Sequence, residues 1–329
     1  MQSLPKRMTV REVGPRDGFQ MEAGFIPTDR KIRIVDALAA TGIRRIEATS
    51  FVHPRAIPQL RDAPEVMAGI ARRPGTAYEA LVPNPKGAER AVAAGADAVL
   101  IVISASDAHN RANINMTVQE SVAQIPAIVE IAKRGGIPVT GTVACSTGCP
   151  YTGRVPAERV RWVAEAYVAA GVDELVIADS LGMGNPAMVY QLVAMVRDRW
   201  PEMPVAVHIH NTRGMGLANA IAAMQAGVTV IDGAVGGLGG CPFAPGATGN
   251  IPTEDLVHML DEMSIETGVD LDALLEVARL VKETVAHDLP GMVFRAGKST
   301  RTHPMPEALL ASEGPKREQD LTALRKFAN

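Results

Sequence analysis

Two histidines close the apolar run Val205-Ala206-Val207-His208-Ile209-His210-Asn211. Side chains alternate along a strand, so His208 and His210 face one side and Ile209 the other. Burying two imidazoles together requires a partner for each, and a shared divalent cation serves both. Two imidazole nitrogens call for a carboxylate oxygen to complete a site. Asp17 is the natural one, in Glu12-Val13-Gly14-Pro15-Arg16-Asp17-Gly18-Phe19-Gln20, where Gly and Pro stop a strand and leave Arg16 and Asp17 on the loop beyond it. No thiolate is needed in such a site, which leaves Mg²⁺, Mn²⁺, Co²⁺ and Zn²⁺ as candidates.

Two further carboxylates, Glu47 in IEATS and Asp179 in IADS, end apolar runs in the same way. Each can orient Arg16 or a ligand histidine, or else cap the helix that follows. Asp97, Asp173 and Glu174 stand at the opposite ends of their strands and read as solvated turn residues. Gly236-Gly237-Leu238-Gly239-Gly240-Cys241-Pro242-Phe243-Ala244-Pro245-Gly246-Ala247-Thr248-Gly249-Asn250 holds six glycines in fifteen residues. That composition suits a phosphate cradle or a mobile lid carrying one reactive side chain, and the Lys-Ser/Thr ending of a phosphate loop is missing. Cys241, set among glycines, is a candidate acid or nucleophile. Cys145 and Cys149 have no matching second pair and read as packing residues. Asn84, Lys86 and Ser106 follow two other strands and either line a substrate groove or start helices.

These residues have to be positioned by a repeating scaffold, and the chain contains one. A helix end, a glycine and an apolar strand recur at TGIRRIEATS (41–50), AGADAVLIVIS (94–104), AGVDELVIADS (170–180) and AGVTVIDGAV (226–235). Gly42, Gly95, Gly171 and Gly227 fall where a helix C-cap needs a left-handed residue. Extending the cadence predicts strands at 8–13, 44–50, 77–82, 98–104, 138–145, 174–180, 204–210 and 229–235, with helical patterns between them. Val160, Val163, Ala164, Tyr167 and Val168 mark one such helix face. Eight strand–helix units point to an α/β fold, a single (β/α)₈ TIM barrel with a further helical segment after about residue 268. A doubly wound sheet would bring a G-x-G-x-x-G turn after its first strand, and VGPRDGFQ is not one. A barrel places its chemistry at the C-terminal strand ends, where all the candidates above lie. The domain reading is therefore a barrel over 1–287 and a tail, 288–329, that packs on it or at a dimer contact.

Composition narrows the function classes. The 329 residues carry 33 Lys and Arg against 36 Asp and Glu, a net charge of −3, without the clustered basic excess of a nucleic-acid binder. No apolar run approaches the roughly 18 residues of a membrane span. The N-terminal MQSLPKRMTV lacks a signal-peptide core, and three cysteines form no disulfide framework. A cytoplasmic protein acting on a small molecule is expected, with neither nucleic acid nor membrane as partner.

Taken together, VGPRDGFQ, IEATSFV, the His-x-His strand and GLGGCPFAPGATGN resemble the 3-hydroxy-3-methylglutaryl-coenzyme A (HMG-CoA) lyase family. These are metal-dependent barrel lyases with an Arg-Asp motif after the first strand, and the likeness runs from about 9 to 287. The resemblance implies a divalent ion, usually Mg²⁺ or Mn²⁺, an acyl-CoA substrate and a homo-oligomer, a dimer first. It places metal ligands on Asp17, His208, His210 and Asn250. It places catalytic or supporting roles on Arg16, Glu47, Asp179 and Cys241, with His208 or Asp17 as base; apart from the resemblance, Arg16, Gln20, Asn84, Ser106 and Arg213 are the candidate substrate contacts. The implied reaction is retro-Claisen cleavage of HMG-CoA to acetyl-CoA and acetoacetate. The family's His-x-His-Asp-Thr-aromatic-Gly appears here as His208-Ile209-His210-Asn211-Thr212-Arg213-Gly214. Arg213 then either reads a substrate carboxylate, favouring a related 3-hydroxyacyl-CoA, or is an exposed start-of-helix residue. Claisen-type synthases and pyruvate-releasing aldolases are the rival chemistries. A zinc hydrolase has no need of Arg16 or Cys241, and a non-catalytic metal-binding barrel is the alternative of another class.

Overall fold

The computed structural model describes residues 4–240 and 249–305. Eight parallel strands form a closed barrel in chain order: β1 (Thr9–Glu12), β2 (Arg45–Ser50), β3 (Ala77–Leu81), β4 (Ala98–Ser104), β5 (Val139–Ala144), β6 (Glu174–Asp179), β7 (Val205–Ile209) and β8 (Val230–Gly233). β8 closes on β1 with Thr9 opposite Val230 and Arg11 opposite Asp232. Every expected strand is present, 98–104 whole and the others slightly trimmed at their ends.

The helices are α1 (Thr28–Ala40), α2 (Ala63–Gly69), α3 (Pro85–Ala93), α4 (Asp107–Ile114), α5 (Val118–Val122), α6 (Ile125–Arg134), α7 (Ala157–Ala170), α8 (Pro186–Arg199), α9 (Gly216–Gln225), α10 (Thr253–Glu262), α11 (Leu271–Val285) and α12 (Met292–Ala296). Helix α11 is the extra helical segment expected after about 268. Gly42, Gly95, Gly171 and Gly227 have φ of +96°, +74°, +82° and +92°, so each turns the chain from helix to strand in a conformation that disfavours other residues. The chain divides into two compact units, Met1–Arg295, which holds the barrel, and Ala296–Asn329. In the described part of the second, Arg301 N–H donates to Lys298 O at 2.9 Å. No helix among the described residues is long and apolar enough to cross a membrane.

Strand alternation sorts side chains between two environments. Val205, Val207 and Ile209 join the apolar core, while Ala206 and His208 take the opposite, interior parity. Branched aliphatic residues usually fill the interior layers of such barrels. Here one layer is ionic. Arg11 is fully buried and donates to Asp232 and Glu174, while Arg45 donates to Glu174 at 2.7 and 3.0 Å and to Glu79 at 2.5 Å. Glu174 thus corrects an expectation. It is 8% exposed and braced by two arginines rather than solvated, because the barrel wall turns its parity inward. Asp173, one residue earlier, stays exposed and accepts from Val139 N–H, and Asp97 pairs with Arg72 at the surface.

A second buried acid lies beneath the glycine-rich segment. Glu254 at the start of α10 accepts from Gly236 N–H at 2.9 Å and is fully buried. Burial pushes its carboxyl from 4.5 up to about 8, against the lowering effect of that hydrogen bond. The folded chain therefore keeps a proton that the unfolded chain releases near 4.5, so this group lowers stability as pH rises from about 4.5 to about 8. Glu254→Gln is expected to flatten that decline relative to the parent in urea unfolding across pH 5–9. Parallel curves for the two proteins would contradict the assignment.

Candidate active site

β1 ends at Glu12, whose carboxylate accepts from Gly14 N–H (2.7 Å), Val235 N–H (2.9 Å) and Thr253 Oγ1 (2.6 Å). The first loop and the start of the glycine-rich segment are thereby fastened to one side chain. From Gly14 the chain makes a tight, buried helical turn, Gly14–Gly18, that carries Arg16 and Asp17. Arg16 donates to both oxygens of Glu47 at 2.8 and 2.9 Å, a two-pronged pair, and to Asp17 Oδ1 at 2.5 Å. Burial alone would weaken its charge, but Glu47 and then Asp17 outweigh that and raise its pKa further.

Opposite, β7 delivers the two histidines. Their Nε2 atoms lie 3.1 Å apart, and His210 Nε2 is 3.8 Å from Asp17 Oδ2. One ligand atom from each of Asp17, His208 and His210 falls within a 4.8 Å cluster, and all three residues are buried. Asn250 sits on the same spot: its Nδ2 donates to Asp17 Oδ2 at 2.7 Å and to Leu238 O at 3.1 Å, while its buried Oδ1 has no hydrogen-bond partner among the described residues. This donor set fits a divalent cation. The two Nε2 atoms meet at 3.1 Å, close enough for one to donate to the other or for both to turn lone pairs to a shared ion, and the orphaned Asn250 oxygen is a further donor beside them. Burial raises the Asp17 carboxyl, but Arg16, His208, His210 and the Asn250 amide hold it at about 2. Burial, reinforced by His208, lowers His210 to about 3.

The glycine-rich segment is pinned at both ends. Asn250 N–H donates to Leu238 O and Asn211 N–H to Gly249 O. A Cβ on Gly249 would collide with the carbonyls of Gly237 and Leu238, and one on Gly239 would lie 2.9 Å from Asp17 Oδ2. Only glycine lets the two ends meet over the site. Cys241 lies outside the described residues.

The other expected residues are placed as follows. Gln20 Nε2 reaches Asp17 Oδ1 at 3.3 Å. Asp179 accepts from Thr147 Oγ1 (2.6 Å), Met183 N–H (2.9 Å) and Gly184 N–H (3.0 Å), which organises the β6–α8 loop and leaves Arg16 to Glu47. Asn84 and Ser106 are the N-caps of α3 and α4. Ser106 Oγ also donates to the buried Cys149 thiol at 3.0 Å. Arg213 is exposed and its Nη1 donates to Leu181 O and Gly182 O, bracing the β7–α9 loop against the β6–α8 loop. Asn211 Oδ1 accepts from Gly216 N–H at 2.9 Å, a bond an aspartate would make equally well. Sequence reasoning overlooked Asp232, whose Oδ2 lies 3.1 Å from His208 Nδ1. A single carboxylate in the apolar run VTVIDGAV was its only signal.

Fold and site together define an α/β barrel with a candidate metal centre of two histidines and an aspartate, and a buried arginine beside it. Residues 7–281 match the HMGL-like family. The chain is 43% identical over 296 residues to the hydroxymethylglutaryl-CoA lyase YngG of Bacillus subtilis (strain 168), covering 90% of this chain and 99% of that one. It is 45% identical over 279 residues to the mitochondrial hydroxymethylglutaryl-CoA lyase of Gallus gallus, covering 85% and 94%. Among solved structures, an HMG-CoA lyase from Acinetobacter baumannii in complex with coenzyme A and 3-methylmalate superposes with a TM-score of 0.88 at 46% identity, covering 93% of this chain and 100% of that one. The chain belongs to the HMGL-like family.

Proposed function

We infer that this protein is a carbon–carbon lyase that cleaves HMG-CoA to acetyl-CoA and acetoacetate. The observation that carries the reading is the meeting of Arg16 and Asp17 with the His208–His210 pair at one buried point. The residues that would hold a metal are Asp17, His208, His210 and Asn250; the family resemblance points to Mg²⁺ or Mn²⁺, while the two imidazoles suit Co²⁺ or Zn²⁺ as well. Such an ion supplies Lewis acidity, lowering the pKa of the substrate C3 hydroxyl and fixing its orientation.

The remaining steps belong to the chain's own side chains. The C3 hydroxyl gives up its proton to His208 or Asp17; with His208 Nδ1 held by Asp232 and its Nε2 turned to the metal cluster, only the carboxylate keeps a lone pair for it, which favours Asp17. The C2–C3 bond then breaks, its electron pair passing into the acetyl thioester as an enolate while C3 becomes the acetoacetate ketone. Arg16, kept charged and aimed by Glu47, stabilises the enolate oxygen. Cys241 is the proposed donor of the proton that the enolate carbon takes up. Gln20, through Asp17, and Asp179, through the β6–α8 loop, act by positioning.

The departures at Asn211 and Arg213 leave the metal-type donors in place, since both side chains are engaged with backbone groups. That favours HMG-CoA itself over a related 3-hydroxyacyl-CoA. Purified protein supplemented with Mg²⁺ or Mn²⁺ is expected to convert HMG-CoA to acetyl-CoA and acetoacetate, identified by mass spectrometry, ahead of other 3-hydroxyacyl-CoA thioesters. Faster cleavage of another thioester in that panel would overturn the substrate, and no cleavage of any would overturn the activity.

A further inference from the structure

We propose that Asp232, clamped by Arg11, is a positioning residue that sets which nitrogen His208 presents to the metal; this rests on the metal reading of the Asp17–His208–His210 cluster. The Asp232 carboxylate has two tasks. Its oxygens accept from Arg11 Nε at 2.8 Å and Nη2 at 3.1 Å, and Oδ2 also faces His208 Nδ1 at 3.1 Å. An ionised carboxylate only accepts hydrogen bonds, so the His208 proton sits on Nδ1. The lone pair is left on Nε2, the atom that faces His210 and Asp17.

Arg11 fixes the plane of that carboxylate. It is fully buried, its remaining Nη1 donates to Glu174 at 3.0 Å, and Glu174 is gripped in turn by Arg45. The clamp thus reaches β1, β2, β6 and β8 before touching the histidine on β7. Among the described residues His210 has no equivalent support: its buried Nδ1 lacks a hydrogen-bond partner there. The two histidines are therefore unequal, with one ring locked from below and the other placed by its backbone. Outer partners of this kind orient metal-bound imidazoles and raise their donor strength.

Asp232→Asn tests the idea, because Arg11 competes for its single oxygen and the amide N–H₂ then faces His208 Nδ1, moving the ring proton to Nε2. Mn²⁺ titrations followed by electron paramagnetic resonance should show affinity about 10–100-fold weaker than in the parent, and the visible spectrum of the Co²⁺-loaded protein should change. Glu79→Gln is the structural control. It removes a carboxylate 3.6 Å from Arg11 without touching Asp232, and should lower the melting temperature while keeping parental Mn²⁺ affinity. Parental affinity in Asp232→Asn, or an equal loss in Glu79→Gln, would overturn the proposal. Should Asp232→Asn fail to fold, Arg11→Lys decides: weakened Mn²⁺ binding supports the clamp and parental binding overturns it. A parent chain that binds neither Mn²⁺ nor Mg²⁺ removes the metal reading itself, whatever the variants do.

Discussion

Arg16→Gln is expected to lower kcat by about 10³-fold, with KM changed far less. Removing one fixed donor aimed at a developing oxyanion costs about 10²–10³ in rate, and here the donor is also a full charge in a buried setting. Glutamine keeps a hydrogen-bonding end but neither the charge nor the fork that meets both Glu47 oxygens at 2.8 and 2.9 Å. Deleting one partner of a buried ion pair costs about 3–5 kcal/mol, so the melting temperature should fall as well. Arg16→Lys separates the two effects: it restores charge without the two-pronged geometry and should recover stability better than turnover. Wild-type-like turnover in Arg16→Gln would remove the mechanism as drawn.

The second large effect is expected from Asp17→Asn, read as metal affinity. Asp17 brings the negative charge to the cluster, and Asn250 and Gln20 both point N–H groups at it. Losing it should weaken Mn²⁺ binding by more than the roughly 10–100-fold that loss of an outer partner costs. Stability should change with a definite pH signature. The Asp17 carboxyl is lowered from 3.8 to about 2, so its stabilisation is fully present above pH 3.8 and vanishes as pH falls through about 2. Asp17→Asn should therefore be less stable than the parent near pH 7, by roughly 2 kcal/mol, with the gap closing below pH 3. Calorimetric titration with Mn²⁺ and urea unfolding at both pH values check the two halves. Unchanged Mn²⁺ affinity would exclude Asp17 as a ligand.

Much of the barrel and the ends of its strands could be read in advance because both are written in local patterns. Helix-to-strand glycines and runs of Val and Ile depend on neighbours a few residues away, and the strands fall where those patterns place them. His208 and His210 were legible for the same reason, since two-residue spacing alone puts them on one face. The division of labour between Glu47 and Asp179 was not. Both follow apolar runs, yet Glu47 shares the interior parity of Arg45 on β2, whereas Asp179 falls on the parity opposite Glu174 and serves its own loop.

The amino-acid sequence by itself determined the (β/α)₈ architecture, the loops that carry Arg16 and Asp17, and the histidine pair, since each follows from spacing along a strand or helix. Only the tertiary structure decided what supports them. Arg11 and Asp232 lie 221 positions apart and Arg11 and Glu174 lie 163 apart, and no local pattern pairs charges across such distances. Closure of β8 onto β1 sets Arg11 opposite Asp232, and a dry barrel interior obliges every charge that enters it to find its partner there.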